Sequence, residues 1–459
     1  MRYVIASMIC LGCMINNIVR GNMSIIILAM TKPLYNTTAG ALPDYGPRYA
    51  WSAYEQSLVI GSYFWGGTVT MFIAGIFAER YGARKVIGFG IITAAILSGV
   101  APVAANYLWL SIVVRFCSGM AMATVSPSMQ ALISNWAPPE EKGKFLSAYL
   151  ANGIGTVIDW SISGYIIKYL GWDYAFYVVV LILGIYALAW YCIVYDSPKK
   201  HPYISTEEKE FILSKVKMTA TKKPWPPIKS MMISVPFWAL VIFHFGILFA
   251  QFIFLTAAPK YLSEVHHFDI ATTGLLSSIP YLARFIFGIG FGFLGDYMFK
   301  NQVLSPKSIR KGFAVCSHIL PACFLIGLMF VNNRPFVSIT FISLALGFSG
   351  AISITSMQNP HDLSPNFATT IFAFIHTVGS ASGFIAPMVI AHFTKIKSSD
   401  EEWQYVFLIG AATLVTSAII FIVFGGVTVQ KWNKIDNEKT DMKLLSPLAP
   451  LAEFEKTKL

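Results

Sequence analysis

The stretch Gly75-Ile-Phe-Ala-Glu79-Arg80-Tyr-Gly82-Ala-Arg84-Lys85 lies between two long apolar runs. A glycine lets two helices approach closely, and an acid with several bases in a tight turn can exchange ion-pair partners. A charged hinge with the spacing G-x-x-x-E-R-x-G-x-R-K therefore suits a latch at the mouth of two moving helix bundles. A weaker echo, Gly292 to Asp296 with Arg310 and Lys311 further on, follows the eighth apolar run, as an internal six-plus-six duplication would produce. The expected gate motif is Gly75, Glu79, Arg80, Gly82, Arg84 and Lys85, with Asp296 in the echo.

The chain around this hinge reads as a polytopic membrane protein. Its 459 residues are 55% hydrophobic, 15% aromatic and 12% charged, with a mean hydropathy of +0.60. Soluble domains carry about 25% charged residues, so a soluble fold, a peripheral protein and a single-pass receptor are all excluded. Apolar runs fall at 3–31, 55–78, 86–105, 107–135, 145–168 and 173–195, then at 234–259, 271–298, 310–331, 335–358, 366–393 and 403–428. The expected architecture is all-α, with twelve transmembrane helices in two pseudo-symmetric six-helix bundles. The domains are 1–195, a cytoplasmic linker 196–233, a second bundle 234–428 and a cytoplasmic tail 429–459. In the linker, Ser205 followed by Glu208 predicts a capped short helix ended by Pro224, Pro226 and Pro227.

Net charge is +11, yet no basic stripe with interleaved aromatics suggests nucleic acid. With both termini inside, 24 of the 34 Lys and Arg face the cytoplasm. Seven lie outside: Lys32, Arg48, Lys168, Lys260, Arg334, Lys395 and Lys397. That asymmetry is a positive-inside signal. It places the loop after span one outside, where Asn36-Thr37-Thr38 is a glycosylation sequon. The charged start and apolar first run read as an uncleaved span rather than a signal peptide. All six cysteines lie in apolar stretches, so no disulfide framework is expected, and the Cys10/Cys13 pair reads as packing.

Three arginines, Arg20, Arg115 and Arg284, fall inside spans, against one acid, Asp159. An ionised side chain in a bilayer is costly unless it meets water or a partner. The surplus positive charge suits a bound anion, because the planar guanidinium grips two oxygens of a carboxylate or phosphate at once. These three arginines are the expected substrate-binding residues. At about 1.5 Å per residue, Asp159 and Arg284 lie near the same depth on spans five and eight. A bistable ion pair between them would serve alternating access. His376 in span eleven is a second coupling candidate, because imidazole titrates near physiological pH. His244 and His318 read as packing residues, and His361 as part of a helix cap.

These and further residues carry a resemblance to a family. Arg20-Gly-Asn22-Met-Ser24, Gly61-Ser-Tyr-Phe-Trp65-Gly66, Trp136-Ala-Pro138-Pro139-Glu140-Glu141-Lys142 and Gly171-Trp172 with Phe176-Tyr177 mark the first half. Ser197-Pro198, His201-Pro-Tyr-Ile204-Ser205 and Asn359-Pro-His-Asp362-Leu-Ser-Pro365 mark the rest. The chain resembles the major facilitator superfamily, and within it the anion:cation symporters that include sialin, the vesicular glutamate transporters and the type I sodium-phosphate cotransporters. The resemblance implies two bundles rocking about a central anion site, places Arg20 in the transport path, and likens Arg115-Phe-Cys-Ser-Gly119 to the superfamily's span-four motif. It also shows departures. Proton-coupled relatives carry glutamates where this chain has Ser118 and Met122, and vesicular glutamate transporters carry a histidine and an arginine where it has Ile60 and Leu248.

The expected function is secondary active transport of small inorganic or organic anions, phosphate or carboxylate, driven by sodium or membrane potential. The alternatives are a proton-coupled, sialin-like exporter of lysosomal or vesicular membranes, and a non-transporting receptor on the same fold. The gate motif argues against the receptor. No HExxH, GxSxG or P-loop suggests an enzyme, and no cofactor or metal is expected beyond co-transported Na⁺ or H⁺. The expected partners are a small anion and the lipid bilayer, with the protein a monomer in the plasma membrane or an endosomal or lysosomal membrane. Asp441-Met-Lys-Leu444-Leu445 resembles an acidic dileucine sorting signal.

Overall fold

The structure is a computed structural model that describes residues 1–31, 44–138, 145, 151–215, 226–331, 334–394 and 400–433. Asn36, the dileucine pattern, the surroundings of Gly75 and the side chain of Glu79 lie outside the described residues. Spans one to six are the helices Arg2–Met30, Ala53–Tyr81, Ala83–Ala104, Leu108–Ala123 continued by Val125–Trp136, Asn152–Leu170 and Trp172–Ile193. Spans seven and eight are Val235–Glu264 and Ile270–Lys300. Span nine runs from Pro306–Ala314 through a π-helical turn, Val315–Ile319, into Leu320–Leu328. Span ten is Pro335–Ser349 with a 3₁₀ turn, Gly350–Ile354, and a short end piece, Asn359–Leu363. Span eleven is Ala368–Ser380 followed by Ser382–Phe393, and span twelve is Asp400–Phe424. Ten of these are long and apolar enough to cross a bilayer. Helices also stand at the expected places of spans two and five, 29 and 19 residues long, an order consistent with the expected twelve.

Small residues set how closely the spans pack, because lipid gives apolar side chains no drive to leave it. A methyl carbon added at Gly119 would stand 1.8 Å from the Tyr63 carbonyl oxygen, and one at Gly66 would stand 2.0 Å from that of Phe116. Spans two and four thus touch backbone to backbone. Span one is clasped in the same way, with Tyr186 Oη donating to the Met8 carbonyl at 2.7 Å and Trp160 Nε1 to that of Gly21 at 3.0 Å. Cys13 is a buried free thiol 3.7 Å from the Met129 sulfur, a packing residue.

The two halves meet along spans five and eight and along spans two and eleven. Lys168 Nζ pairs with Asp269 at 2.9 Å, Ser161 donates to Ser278 at 3.2 Å, and the Thr68 and Ser380 hydroxyls share a hydrogen bond of 2.9 Å. These contacts occupy the end of the molecule away from the linker and its middle. Toward the linker end, span eight turns to span ten, and a carbon added at Gly292 meets nothing within 4 Å.

The linker helix Thr206–Lys215 starts as expected, with Ser205 Oγ accepting from the Glu208 amide at 3.3 Å. The other half of the capping box is not made within the linker. The Glu208 carboxylate accepts instead from the Met1 amine at 2.8 Å and the Arg2 amide at 2.9 Å, so it caps span one. His201 wedges between the rings of Trp136, Tyr195 and Tyr203, its Nε2 3.1 Å from the Ile193 carbonyl. The linker thereby docks on the first half.

Candidate functional site

Spans one and eight bring Arg20 and Arg284 to one level between the halves. Arg20 lies over the faces of Phe64 from span two and Phe252 from span seven, at 5.3 and 4.5 Å from the ring centroids. Those two rings touch each other edge to face at 4.7 Å. The guanidinium is thus cradled by aromatics from both halves rather than paired with an acid, an arrangement that keeps its charge available. Arg284 of span eight lies within electrostatic reach of Arg20, and Tyr281, one turn before it, faces both. The Tyr281 ring stands edge-on to Trp160 of span five at 5.2 Å.

Three donors in this group are buried without a hydrogen-bond partner: Nε of Arg20, Nη1 of Arg284 and the hydroxyl of Tyr281. Leaving a buried donor unpaired costs about 1–3 kcal/mol, and more when it is charged. A cluster of orphaned donors carrying two positive charges is therefore complementary to an anion with several acceptor oxygens.

Arg115 belongs to a neighbouring layer. Its guanidinium lies 4.8 Å over Tyr63 and donates to the Val19 carbonyl at 3.2 Å, while Nε and Nη2 have no partner. Tyr63 stands within reach of both Arg115 and Arg20 and links the two layers electrostatically. Asp159 is fully enclosed beside Arg115, the cation that acts on it, with Oδ1 accepting from Ser163 at 3.2 Å and Oδ2 unpartnered. Asp159 and Arg284 make no ion pair in this conformation. Asp159 answers to a cation of its own half.

His376 is partly exposed at the same level, its ring 4.6 Å from that of His244. Sequence reasoning set His244 aside as packing, and it missed Tyr63 and Tyr281 altogether. An in-span tyrosine two residues after a span glycine, or one turn before an arginine, carries no signal until the helices are packed. His318 is a packing residue as expected, with one ring nitrogen on Ser317 and the other on the Phe243 carbonyl.

Among the described residues of the gate motif, Gly82 and Arg84 are held within their own half. Gly82 joins spans two and three at φ +93°, and a side chain there would strike Asp196, which stands 2.6 Å from the added carbon. Asp196 accepts from the Arg84 amide at 2.8 Å and so caps span three. The Arg84 guanidinium donates to the Tyr191 carbonyl and lies 4.1 Å over Tyr195. Arg80 and Lys85 are exposed. In the second half Asp296 is exposed, and Arg310 turns away from it to grip Asp362 with two bonds of 2.8 and 3.1 Å. Asp362 is therefore an ion-pair partner, and His361 beside it is exposed.

The Major Facilitator Superfamily model matches residues 9–387. The chain belongs to the major facilitator superfamily. Within this superfamily it is 32% identical to sialin of Ovis aries, over 89% of this chain and 82% of that protein, and 32% identical to sialin of Homo sapiens, over 94% and 90%. It is 30% identical to vesicular glutamate transporter 2 of Bos taurus, over 96% of this chain and 76% of that protein. Two solved structures share the fold at low identity. A bacterial homolog of the human lysosomal transporter Spinster, inward-facing and occupied, has a TM-score of 0.68 at 13% identity, covering 92% of this chain and 96% of its own. The xylose transporter XylE from E. coli, partially occluded and inward open, has a TM-score of 0.67 at 14% identity, covering 92% and 97%. The superfamily and these relatives make the chain a membrane transporter and not an enzyme, in line with the sequence reading.

Proposed function

We propose that this superfamily member carries small organic anions, carboxylates in the first place, by alternating access about the layer of Arg20, Tyr281 and Arg284. The observation that carries the reading is the convergence of Arg20 and Arg284 from opposite halves with their donors unpaired and no acid between them. An anion bridging the two arginines is held by both bundles at once, so its binding is felt by the motion that reorients them. The aromatic walls, Phe64, Phe252 and Trp160, favour a carboxylate with a carbon skeleton over bare phosphate. The sialin and vesicular glutamate transporter relatives support the same class.

With the first and last residues on the cytoplasmic side, the contacts at the Lys168–Asp269 end close the outer face, and the structure is the inward-facing state. The division into bundles 1–195 and 234–428, the linker 196–233 and the tail 429–459 accompanies that reading. The protein acts as a monomer in the plasma membrane or an endosomal or lysosomal membrane. Arg115 and Asp159 form a supporting layer, in which Asp159 exchanges Arg115 for Arg284 when the halves rock. The test is uptake into proteoliposomes of labelled sialate, glutamate, urate and phosphate, with sodium, pH and voltage gradients imposed one at a time. Uptake of a carboxylate is expected. Transport of a neutral or cationic solute with none of these anions would overturn the proposal.

A further inference from the structure

His376 of span eleven and His244 of span seven meet edge to face, with ring centroids 4.6 Å apart at 68°. His376 is partly exposed and rests on Phe372 at 4.4 Å. His244 lies behind it, fully buried, with Nδ1 3.0 Å from Ser356 Oγ and Nε2 without a partner. The charged and titratable groups that act on the two rings come from three other spans. Arg20 of span one acts on His376, while Arg284 of span eight and His318 of span nine act on His244. Both nitrogens of His318 are already bonded. Among the described residues, no carboxylate acts on either ring.

The imidazole pair therefore faces the same two arginines that form the anion layer. We propose that His244 and His376, with Ser356, form the proton site that couples anion movement to proton movement. This inference rests on the anion layer at Arg20 and Arg284. In the empty protein Arg20 opposes a proton on His376 and Arg284 opposes one on His244. A carboxylate seated on the arginines brings the negative charge that removes the opposition, so anion and proton load together and leave together.

The chemistry is one N–H bond formed and one broken. A proton from water on one side of the membrane adds to His376 and is shared with the free Nε2 of His244, whose Nδ1 rests on Ser356. It returns to water on the other side, with no change of oxidation state. One proton per anion is expected, because two imidazolium rings in edge contact repel one another. The device needs no acid in span four, where this chain has Ser118 and Met122.

The test uses the full chain in proteoliposomes containing a trapped pH-sensitive dye, with labelled sialate and glutamate as probes. Both are ionised at mildly acid and neutral pH, so a proton that enters with them travels on the protein. Two quantities are read: exchange of labelled for unlabelled anion, which needs no net proton movement, and proton influx accompanying net uptake. Wild type is expected to show both. His376→Asn and His244→Asn are expected to keep measurable exchange, which also shows that they fold, and to lose the proton influx and acceleration by an inward proton gradient. Net anion uptake by wild type without proton influx would overturn the proposal and leave the anion layer standing. Proton influx undiminished in both variants would overturn it as well. Absence of exchange of either probe by wild type would sink the carboxylate reading and this inference with it.

Discussion

Replacing Gly274 by Ala should open the outer face. A methyl carbon there would stand 2.2 Å from the Trp160 carbonyl oxygen and 3.3 Å from the Gly164 Cα. Because the obstacle is backbone, no rotamer change relieves it, and spans five and eight must separate by about 1 Å to restore ordinary contact. Overpacking of this kind costs about 1–3 kcal/mol. The strain exists only while the two spans are pressed together, so it acts on the equilibrium between closed and open outer faces. That energy corresponds to a change of about 5- to 150-fold in the ratio of the two states. The assay is the labelling rate of Ser278→Cys by a membrane-impermeant maleimide applied from outside, in a background with the native cysteines replaced. Ser278 is buried and bonded to Ser161 across the interface, so it reacts only when the outer face opens. The rate should rise by that factor in Gly274→Ala. In Gly66→Ala, where the clash lies within one half, thermal stability should fall while labelling stays constant. A folded Gly274→Ala protein labelled no faster than its parent would refute the reasoning.

Asp362→Ala leaves the Arg310 guanidinium, which is only 6% exposed, with neutral partners alone, the Ile354 carbonyl and Gln358 Oε1, and should cost about 3–5 kcal/mol, read as a lower melting temperature in detergent; an unchanged melt would count against a structural pair. Asp159→Asn and Arg115→Gln should be non-additive in stability by about 0.5–3 kcal/mol, and the charge swap Asp159→Arg with Arg284→Asp should recover transport lost in the singles if those two meet in the outward-facing state; no rescue would remove that exchange. Linker docking should weaken in acid. Burial holds His201 below the ordinary imidazole value against the opposing bond to the Ile193 carbonyl, so its contribution is complete above about pH 6.5 and declines as pH falls below it. Burial pushes Glu208 up, but its bonds to the Met1 amine and Arg2 outweigh this and hold it below the usual carboxylate range, so its contribution persists lower and is lost as pH falls through that depressed value. The hydrogen-exchange protection of residues 206–215, corrected for the intrinsic pH dependence of amide exchange, should fall at mildly acid pH as His201 takes up its proton, and protection unchanged there would contradict the His201 assignment.

Span positions were legible because hydropathy over about 20 residues is a one-dimensional signal. The intramembrane arginines were legible for the same reason, since a charge within an apolar run stands out whatever it touches. Their grouping was not. Helix depth put Asp159 and Arg284 level with each other, yet rotation about the helix axis decides contact, and it turns Asp159 to Arg115. The same blindness hid the aromatic cradle of Phe64 and Phe252, the orphaned hydroxyl of Tyr281 and the partnership of His244 with His376. Asp196 stands in the sequence only as the first linker residue and Asp362 only as part of a family motif, because an acid at a span end gives no hint of the base that folds onto it. Gly274 and Gly164 are two glycines among 34, distinguishable only once the backbones they admit are in place.

The central claim is that an anion bridges Arg20 and Arg284. It is tested most directly by initial rates of labelled sialate and glutamate uptake in proteoliposomes bearing wild type, Arg20→Lys, Arg20→Ala and Arg284→Ala. Uptake should fall by tenfold or more in both alanine variants, by about 1.4 kcal/mol for each factor of ten. Arg20→Lys should recover only part of the loss, because an ammonium keeps the charge but not the fork. Alanine variants that take up either anion at the wild-type rate would contradict the account.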